Sequence, residues 1–217
     1  MPGELWFRVM YAHPRHLTDE ILRAMASDAR VCPYLDLPLQ HVSGKMLRAM
    51  RRGYGRARVD QALEQVRRRL PGAALRTTFI VGHPGESDAD FGELLAFVKE
   101  GHFDHMGVFA WSPEPGTVSS SMRGRVETAV AESRRDQLMA AQAKVSSVRL
   151  KARKGLETTM LLERRAKTGW AGRTPWQAPE VDGGTVLEDS LRGARPGDFV
   201  KVKIVRTTQY DCAARIL

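Results

Sequence analysis

Three short stretches place polar or aromatic side chains beside turn-forming residues. Tyr34-Leu35-Asp36-Leu37-Pro38-Leu39-Gln40 reads as a strand, and Pro38, which has no N–H to give, predicts that pairing stops near its end. Gln40 and His41 then fall at a strand tip, where an amide and an imidazole offer donors and acceptors to a ligand. In Val81-Gly82-His83-Pro84-Gly85-Glu86, two glycines permit close backbone approach, Pro84 stiffens the turn, and a helix start follows. This loop suits contact with a nucleotide, yet it lacks the Lys-Ser/Thr of a phosphate-binding P-loop. Upstream, Arg76 and Thr78 share a strand face at period two, and an arginine there can hold a carboxylate by a fork of two hydrogen bonds. The third stretch, Trp111-Ser112-Pro113-Glu114-Pro115-Gly116-Thr117, runs from a strand end into a rigid loop whose indole could stack on an adenine. Each has a plainer reading: a capped loop for Gln40, a tight turn for Gly82–Glu86, an ion pair for Arg76, a core lid for Trp111. No Ser-His-Asp order, paired-carboxylate spacing or HExxH motif appears, so nothing points to hydrolysis.

The elements that must carry these stretches alternate. A strand over Leu5–Tyr11 precedes a helix capped by Thr18, with Asp19 and Glu20 in its first turn. After the Tyr34 strand, Ser43 is expected to cap a short helix through Met46, Leu47 and Met50 that Gly53 ends. A helix with Val59, Ala62, Leu63 and Val66 on one face follows. Leu75–Val81 is nearly continuous in apolar and β-branched residues, which predicts a strand buried on both faces. Ser87 caps the next helix, with a stripe of Phe91, Leu94, Leu95 and Val98, and Gly101 closes it. Asp104–Ala110 is the fourth strand. Because strands at C-terminal tips carry ligand sites in parallel α/β folds, the three stretches are expected to converge. Four strand–helix units are too few to close an eight-fold barrel, so the core is read as part of an open one.

A helix is predicted from Val126 to Arg153, after which short runs over Glu157–Leu162, Thr185–Leu187 and Asp198–Val205 alternate between turns. The fold class is therefore α/β followed by a small all-β barrel, with a boundary between residues 153 and 154.

The 217 residues carry a net charge of +9, are 42% hydrophobic and 27% charged, and suit a globular protein with an anionic partner. Between Met122 and Lys154, Arg123, Arg125, Arg134, Arg135, Lys144, Arg149, Lys151, Arg153 and Lys154 face only Glu127, Glu132 and Asp136. RNA contact or an ordinary solvated face are both open there. No apolar run reaches the roughly 18 to 20 residues that span a bilayer. Met1-Pro2-Gly3-Glu4 lacks the features of a signal peptide, so no membrane association and a cytoplasmic location are expected. Cys32 and Cys212 have no CxxC or CxxxC neighbour and read as inert packing residues.

Taken together, Tyr34–Ser43 with Leu47–Gly53, Leu75–Gly82 with Pro84-Gly85-Glu86, and Asp104–Thr117 resemble the RimO form of the radical-SAM methylthiotransferases. Ala178-Pro179-Glu180-Val181-Asp182-Gly183 and Tyr210-Asp211 resemble parts of a TRAM domain. The resemblance implies a partial open radical-SAM (β/α) barrel over residues 1–153, then TRAM over 154–217. It implies S-adenosylmethionine (SAM) and two four-iron four-sulfur clusters as cofactors. It implies methylthiolation of an aspartate β-carbon in ribosomal protein S-twelve, with the small ribosomal subunit as partner and RNA contact through the basic helix and TRAM. By motif position, Gln40, Arg76 and Thr78 would line the SAM side of the barrel. Gly82, Pro84, Gly85 and Glu86 would shape the adenosine loop, and Trp111, Ser112 and Pro113 would close the adenine end. His83 and Trp111 depart from the aromatic and tyrosine usual at those places. A radical-SAM cluster needs three thiolates at CxxxCxxC spacing, and two distant cysteines cannot supply them. The chain is therefore expected to be one part of a longer protein, or to meet a partner chain, and to be inactive alone. A tRNA-modifying relative of the MiaB type and a non-catalytic RNA- or ribosome-binding module remain open alternatives.

Overall fold

The computed structural model describes residues 5–217, so the reading of Met1-Pro2-Gly3-Glu4 lies outside the described residues. Strands β1 (Phe7–Val9), β2 (Val31–Asp36), β3 (Ala74–Val81) and β4 (His105–Ala110) form one sheet in that order, and every pair is parallel. Helices α1 (Asp19–Ser27), α2 (Gly44–Ala49), α3 (Arg56–Arg69) and α4 (Asp88–Lys99) follow the strands, and α5 (Thr128–Lys151) leads to the second domain. The first strand is shorter than the Leu5–Tyr11 run suggests.

Local chemistry explains most boundaries. The Thr18 hydroxyl accepts from the Ile21 N–H and starts α1. Ser87 and Asp90 form a reciprocal capping box on α4. Ser43 sits at the N-cap of α2, but its hydroxyl donates to Asp90 Oδ1 at 2.6 Å instead of capping. That bond, with Lys45 on Asp90 Oδ2 at 2.8 Å, ties the start of α2 to the start of α4.

The helices cover one side of the sheet. Leu35, Leu37, Leu39, Leu75, Phe79 and Val81 point there and pack with Leu22, Val59, Leu63, Val66, Leu94, Phe97 and Leu138. Phe97 takes the place expected for Leu95, which is only partly buried. The other side of β3, carrying Arg76, Thr78 and Ile80, is only half buried, so the strand is not enclosed on both faces. Its apolar run misleads because Thr78 and Ile80 look onto a concave, partly open face.

Beyond α5, strands β5 (Glu157–Arg165), β6 (Trp170–Arg173), β7 (Thr185–Leu187), β8 (Phe199–Thr207) and β9 (Cys212–Ile216) close a barrel in the order β5-β6-β7-β9-β8. Only β7 and β9 pair in parallel. Met160, Leu162, Trp170, Leu187, Val202 and Ile204 fill it, and Leu150 of α5 joins them. The segment between β6 and β7 leaves this barrel and lies on the lower part of the concave face. There Ala178 and Trp176 pack with Cys32, Tyr34, Ala74, Trp6 and Met10.

Candidate functional site

The concave face has a floor and a rim. At the floor, the Asp182 side chain is fully buried; its Oδ2 accepts from the Tyr34 hydroxyl and the Ala178 N–H, both at 2.8 Å. Its Oδ1 lies 3.5 Å from Arg76 Nε and 3.6 Å from His105 Nδ1. Arg76 also reaches Asp36 Oδ1 and Thr78 Oγ1, each at 3.2 Å. His105 Nε2 donates to the Trp176 carbonyl at 2.9 Å. Burial drives the Tyr34 hydroxyl far above the usual phenol range, so it stays a donor. Gly183 is required beside Asp182, because any Cβ there would strike the Tyr210 carbonyl. Sequence reading marked Asp182 only as a recognisable piece of the second domain. A single acidic residue in a loop gives no sign that it will enter another domain's sheet.

The expected place of Arg76 on the ligand side is thus modified: its guanidinium is committed to two carboxylates at the floor. Thr78 stands one layer above it. Gln40 stands higher again. Pro38 leaves a gap in the ladder that the Thr77 hydroxyl fills, accepting from Leu39 N at 3.3 Å and donating to Leu37 O at 2.9 Å. Pairing then resumes, with Gln40 N on Thr78 O at 2.8 Å and Ile80 N on Gln40 O at 2.9 Å. Gln40 is held at φ 70, the left-handed region that costs an ordinary residue free energy. Its Oε1 is buried without a hydrogen-bond partner.

The rim holds a cavity of about 530 Å³ lined by Met50, Arg51, Ile80, His83, Phe109, Trp111 and Ser112 among others. Phe109 lies 61% exposed on this face. His83 is buried and meets Trp111 edge-on at 6.2 Å between ring centres. The Pro84 carbonyl, 3.0 Å from Nδ1, can only accept, so Nδ1 carries the proton and Nε2 keeps a lone pair. Burial lowers the His83 pKa and keeps that ring neutral. Trp111 is anchored by its indole N–H on Ser119 Oγ at 3.4 Å, and Ser112 bonds Glu114 at 3.2 Å. Pro113 is exposed and lies outside the cavity lining.

The Gly82–Glu86 loop is fixed from behind. A Cβ on Gly82, whose φ is +75, would collide with Ala131 of α5. The Glu86 carboxylate points inward, accepts the Gly82 N–H and lies 3.3 Å from Arg134. Burial raises its pKa, against the pull of the Gly82 N–H and Arg134. Glu86 thus braces the loop and does not line the cavity. Pro84 is buried; Gly85 is exposed, and its N–H donates to the Gly124 carbonyl at 2.7 Å. Below the loop, His41 is wholly buried, and its Nδ1 accepts from Val42 N and Ser43 N at 2.9 and 3.0 Å. Burial lowers its pKa to about 4.

Three of the nine basic residues noted between Met122 and Lys154 turn inward. Arg134 pairs with Glu86 and Asp88, while Arg149 and Arg153 pair with Asp104. The outer face of α5 is less cationic than its composition suggests. Cys32 lies under the floor and Cys212 in the second barrel; burial raises both thiols, Cys212 to about 11. Both are protonated packing groups. Among the described residues, no group of three or more His, Cys, Asp or Glu could hold a metal ion. These residues therefore do not fit an iron–sulfur cluster.

The radical-SAM superfamily profile matches residues 4–98, and the TRAM domain profile matches residues 155–217. A RimO protein, named as a ribosomal protein uS12 methylthiotransferase, from Anaeromyxobacter sp. (strain K) is 43% identical over 99% of the chain. The chain thus joins a radical-SAM region to a TRAM domain and is similar to RimO proteins along nearly its whole length. Similarly named proteins of Phocaeicola vulgatus and Aquifex aeolicus are 38% and 40% identical over 100% and 98% of it. The chain covers 46%, 50% and 50% of these three proteins, so it spans about half the length of the curated relatives it matches. In fold, it is similar to coproporphyrinogen III oxidase (HemN) from Escherichia coli, with a TM-score of 0.51 and 14% identity. That match covers 66% of this chain and 32% of HemN. The expected pairing of a partial radical-SAM barrel with a closed TRAM barrel is borne out. No helix among the described residues is long and apolar enough to cross a membrane.

Proposed function

We propose that the protein to which this chain belongs is a radical-SAM methylthiotransferase that modifies the β-carbon of an aspartate in ribosomal protein uS12. Agreement with RimO proteins along almost the whole chain carries this reading. Bound SAM would supply the radical chemistry that reaction at an unactivated C–H bond requires. The cluster thiolates belong to no residue of this chain, which is inactive by itself.

What these residues do is bind and exclude water. The rim cavity takes the adenosyl group. Trp111 offers a ring face, and the His83 Nε2 lone pair can accept from an exocyclic amine. The partnerless Oε1 of Gln40 is a polar atom that a ligand hydroxyl or ammonium would satisfy. Thr78 continues the polar path below it, and Ser112 lies at the mouth. Gly82, Pro84, Gly85 and Glu86 hold the loop, while Arg76 braces the floor. A ribosomal substrate and two unpaired cysteines, which suit a reducing compartment, support a cytoplasmic location and contact with the small subunit.

Mass spectrometry of uS12 from a strain lacking the full gene tests the reading: the aspartate modification disappears. Persistence of the modification, with loss of a methylthio-adenosine from tRNA instead, would transfer the activity to tRNA. Persistence of both leaves an RNA- or ribosome-binding module.

A further inference from the structure

A second cavity, of about 470 Å³, lies at the opposite end of the strands from the rim cavity, under Pro33, Ala73 and Asp104. Its charged lining is Arg67 of α3, Arg149 of α5 and Arg153 just beyond α5, against the single carboxylate of Asp104. Two positive charges are left without a counter-ion in a partly buried space. Like charges gathered this way cost free energy unless an anion joins them.

The pairing of these groups leaves room for one. Arg153 donates to Asp104 Oδ1 at 2.8 Å, and its guanidinium lies 4.3 Å from the centre of the Trp176 ring. Arg149 Nε is 3.2 Å from Asp104 Oδ2, without an aligned hydrogen bond, and its Nη1 donates to Gly101 O at 3.2 Å. Arg67 donates to the Ala73 and His102 carbonyls. Most of the N–H donors on the three forks therefore have no protein acceptor among the described residues. Burial opposes ionisation of Asp104, yet Arg149, Arg153 and the Leu75 N–H hold its pKa below the ordinary value. Burial lowers the Arg67 pKa, and Arg149 adds to that. The carboxylate is thus already saturated, and the surplus charge remains.

We propose that this cavity is a phosphoryl-binding site, in which the forks of Arg67, Arg149 and Arg153 hold the non-bridging oxygens of a phosphate group beside the Trp176 ring. Planar guanidinium groups match phosphate oxygens two at a time, which ammonium groups cannot do. The site does not depend on the reading of the rim cavity. It gives the inward-turned arginines of α5 a ligand in addition to Asp104.

The test uses the 217-residue chain and follows the arginine Nε–Hε signals by NMR. Inorganic phosphate at millimolar concentration shifts those of Arg67, Arg149 and Arg153, whereas equal chloride does not. Arg149→Lys, which keeps the charge but loses the fork, weakens phosphate binding about tenfold with an unchanged melting temperature. Arg123→Gln, outside the cavity, leaves it unaltered. A short single-stranded RNA that shifts the same three signals, with a steep fall in affinity as salt rises, identifies a backbone phosphodiester as the source. RNA that leaves them unmoved, while inorganic phosphate moves them, assigns a free phosphate or nucleotide. Equal shifts with chloride, no shift with either probe, or full affinity in the lysine variant would overturn the site.

Discussion

The floor and the rim of the concave face solve opposite problems with the same four strands. At the floor, charged and polar groups are sealed against one another: Asp182 enters from the TRAM domain and is closed in by Tyr34, Arg76 and His105. At the rim, two strand steps higher, Phe109 and Trp111 border an open cavity and Gln40 leaves an amide oxygen without a partner. A buried carboxylate with its partners in place resists movement, and removing any one of them strands the rest. An orphaned amide at a strained backbone position does the reverse and leaves a polar atom that another group could satisfy. The chain thus separates the part that holds its domains together from the part proposed to meet a ligand.

If that separation is right, floor and rim substitutions will differ in what they change. The largest loss is expected from Asp182→Ala, which leaves Arg76 and His105 facing a buried void. Urea unfolding should show a cost of about 3 kcal/mol, and a double-mutant cycle with Arg76→Met should show strong coupling. Simple additivity would break the comparison. Next comes His41, beneath the rim, whose folded pKa of about 4 lies below the ordinary value for histidine. The unfolded chain therefore binds the extra proton more readily. Stability contributed by the neutral ring is complete above about pH 6.5 and falls as pH drops toward 4, by on the order of 3 kcal/mol. In His41→Asn this slope should flatten. Gly82→Ala should cost about 2 kcal/mol by thermal melting, since the new methyl meets Ala131 at a left-handed φ. Trp111→Ala should barely alter stability, because the indole is half exposed, but should weaken adenosine or SAM binding by the full-length protein about tenfold in calorimetry. Should it unfold the chain and leave binding intact, the rim would be a structural lid.

Much of this layout is legible in the residues. Thr18, Ser87 and Gly101 mark helix ends by local bonding alone, and the structure keeps all three marks. The three loop motifs sit at strand tips because parallel β/α units send their connections there. What the sequence hides depends on partners distant along the chain. Ser43 reads as a cap until Asp90, 47 residues away, takes its hydroxyl. Glu86 reads as part of an adenosine loop, and nothing in the sequence shows that Arg134 will hold its carboxylate inward. Arg76 reads as a free fork until Asp182, more than a hundred residues later, occupies it. Strands β6 and β9 escape notice because Gly172 and the Ala213–Ala214 pair make short, weakly patterned runs.

The buried clasp at Asp182 has a geometric consequence. A tether of loosely packed linker would let the small barrel roam, and anything gripped by it would reach the cavity over a spread of distances. With one carboxylate locked among a phenol, a guanidinium and an imidazole, the small barrel becomes a fixed ruler. Under the proposed function, a ribosomal loop resting against it would arrive at the strand tips at one set depth, and reach itself would become a criterion for which side chain is chosen.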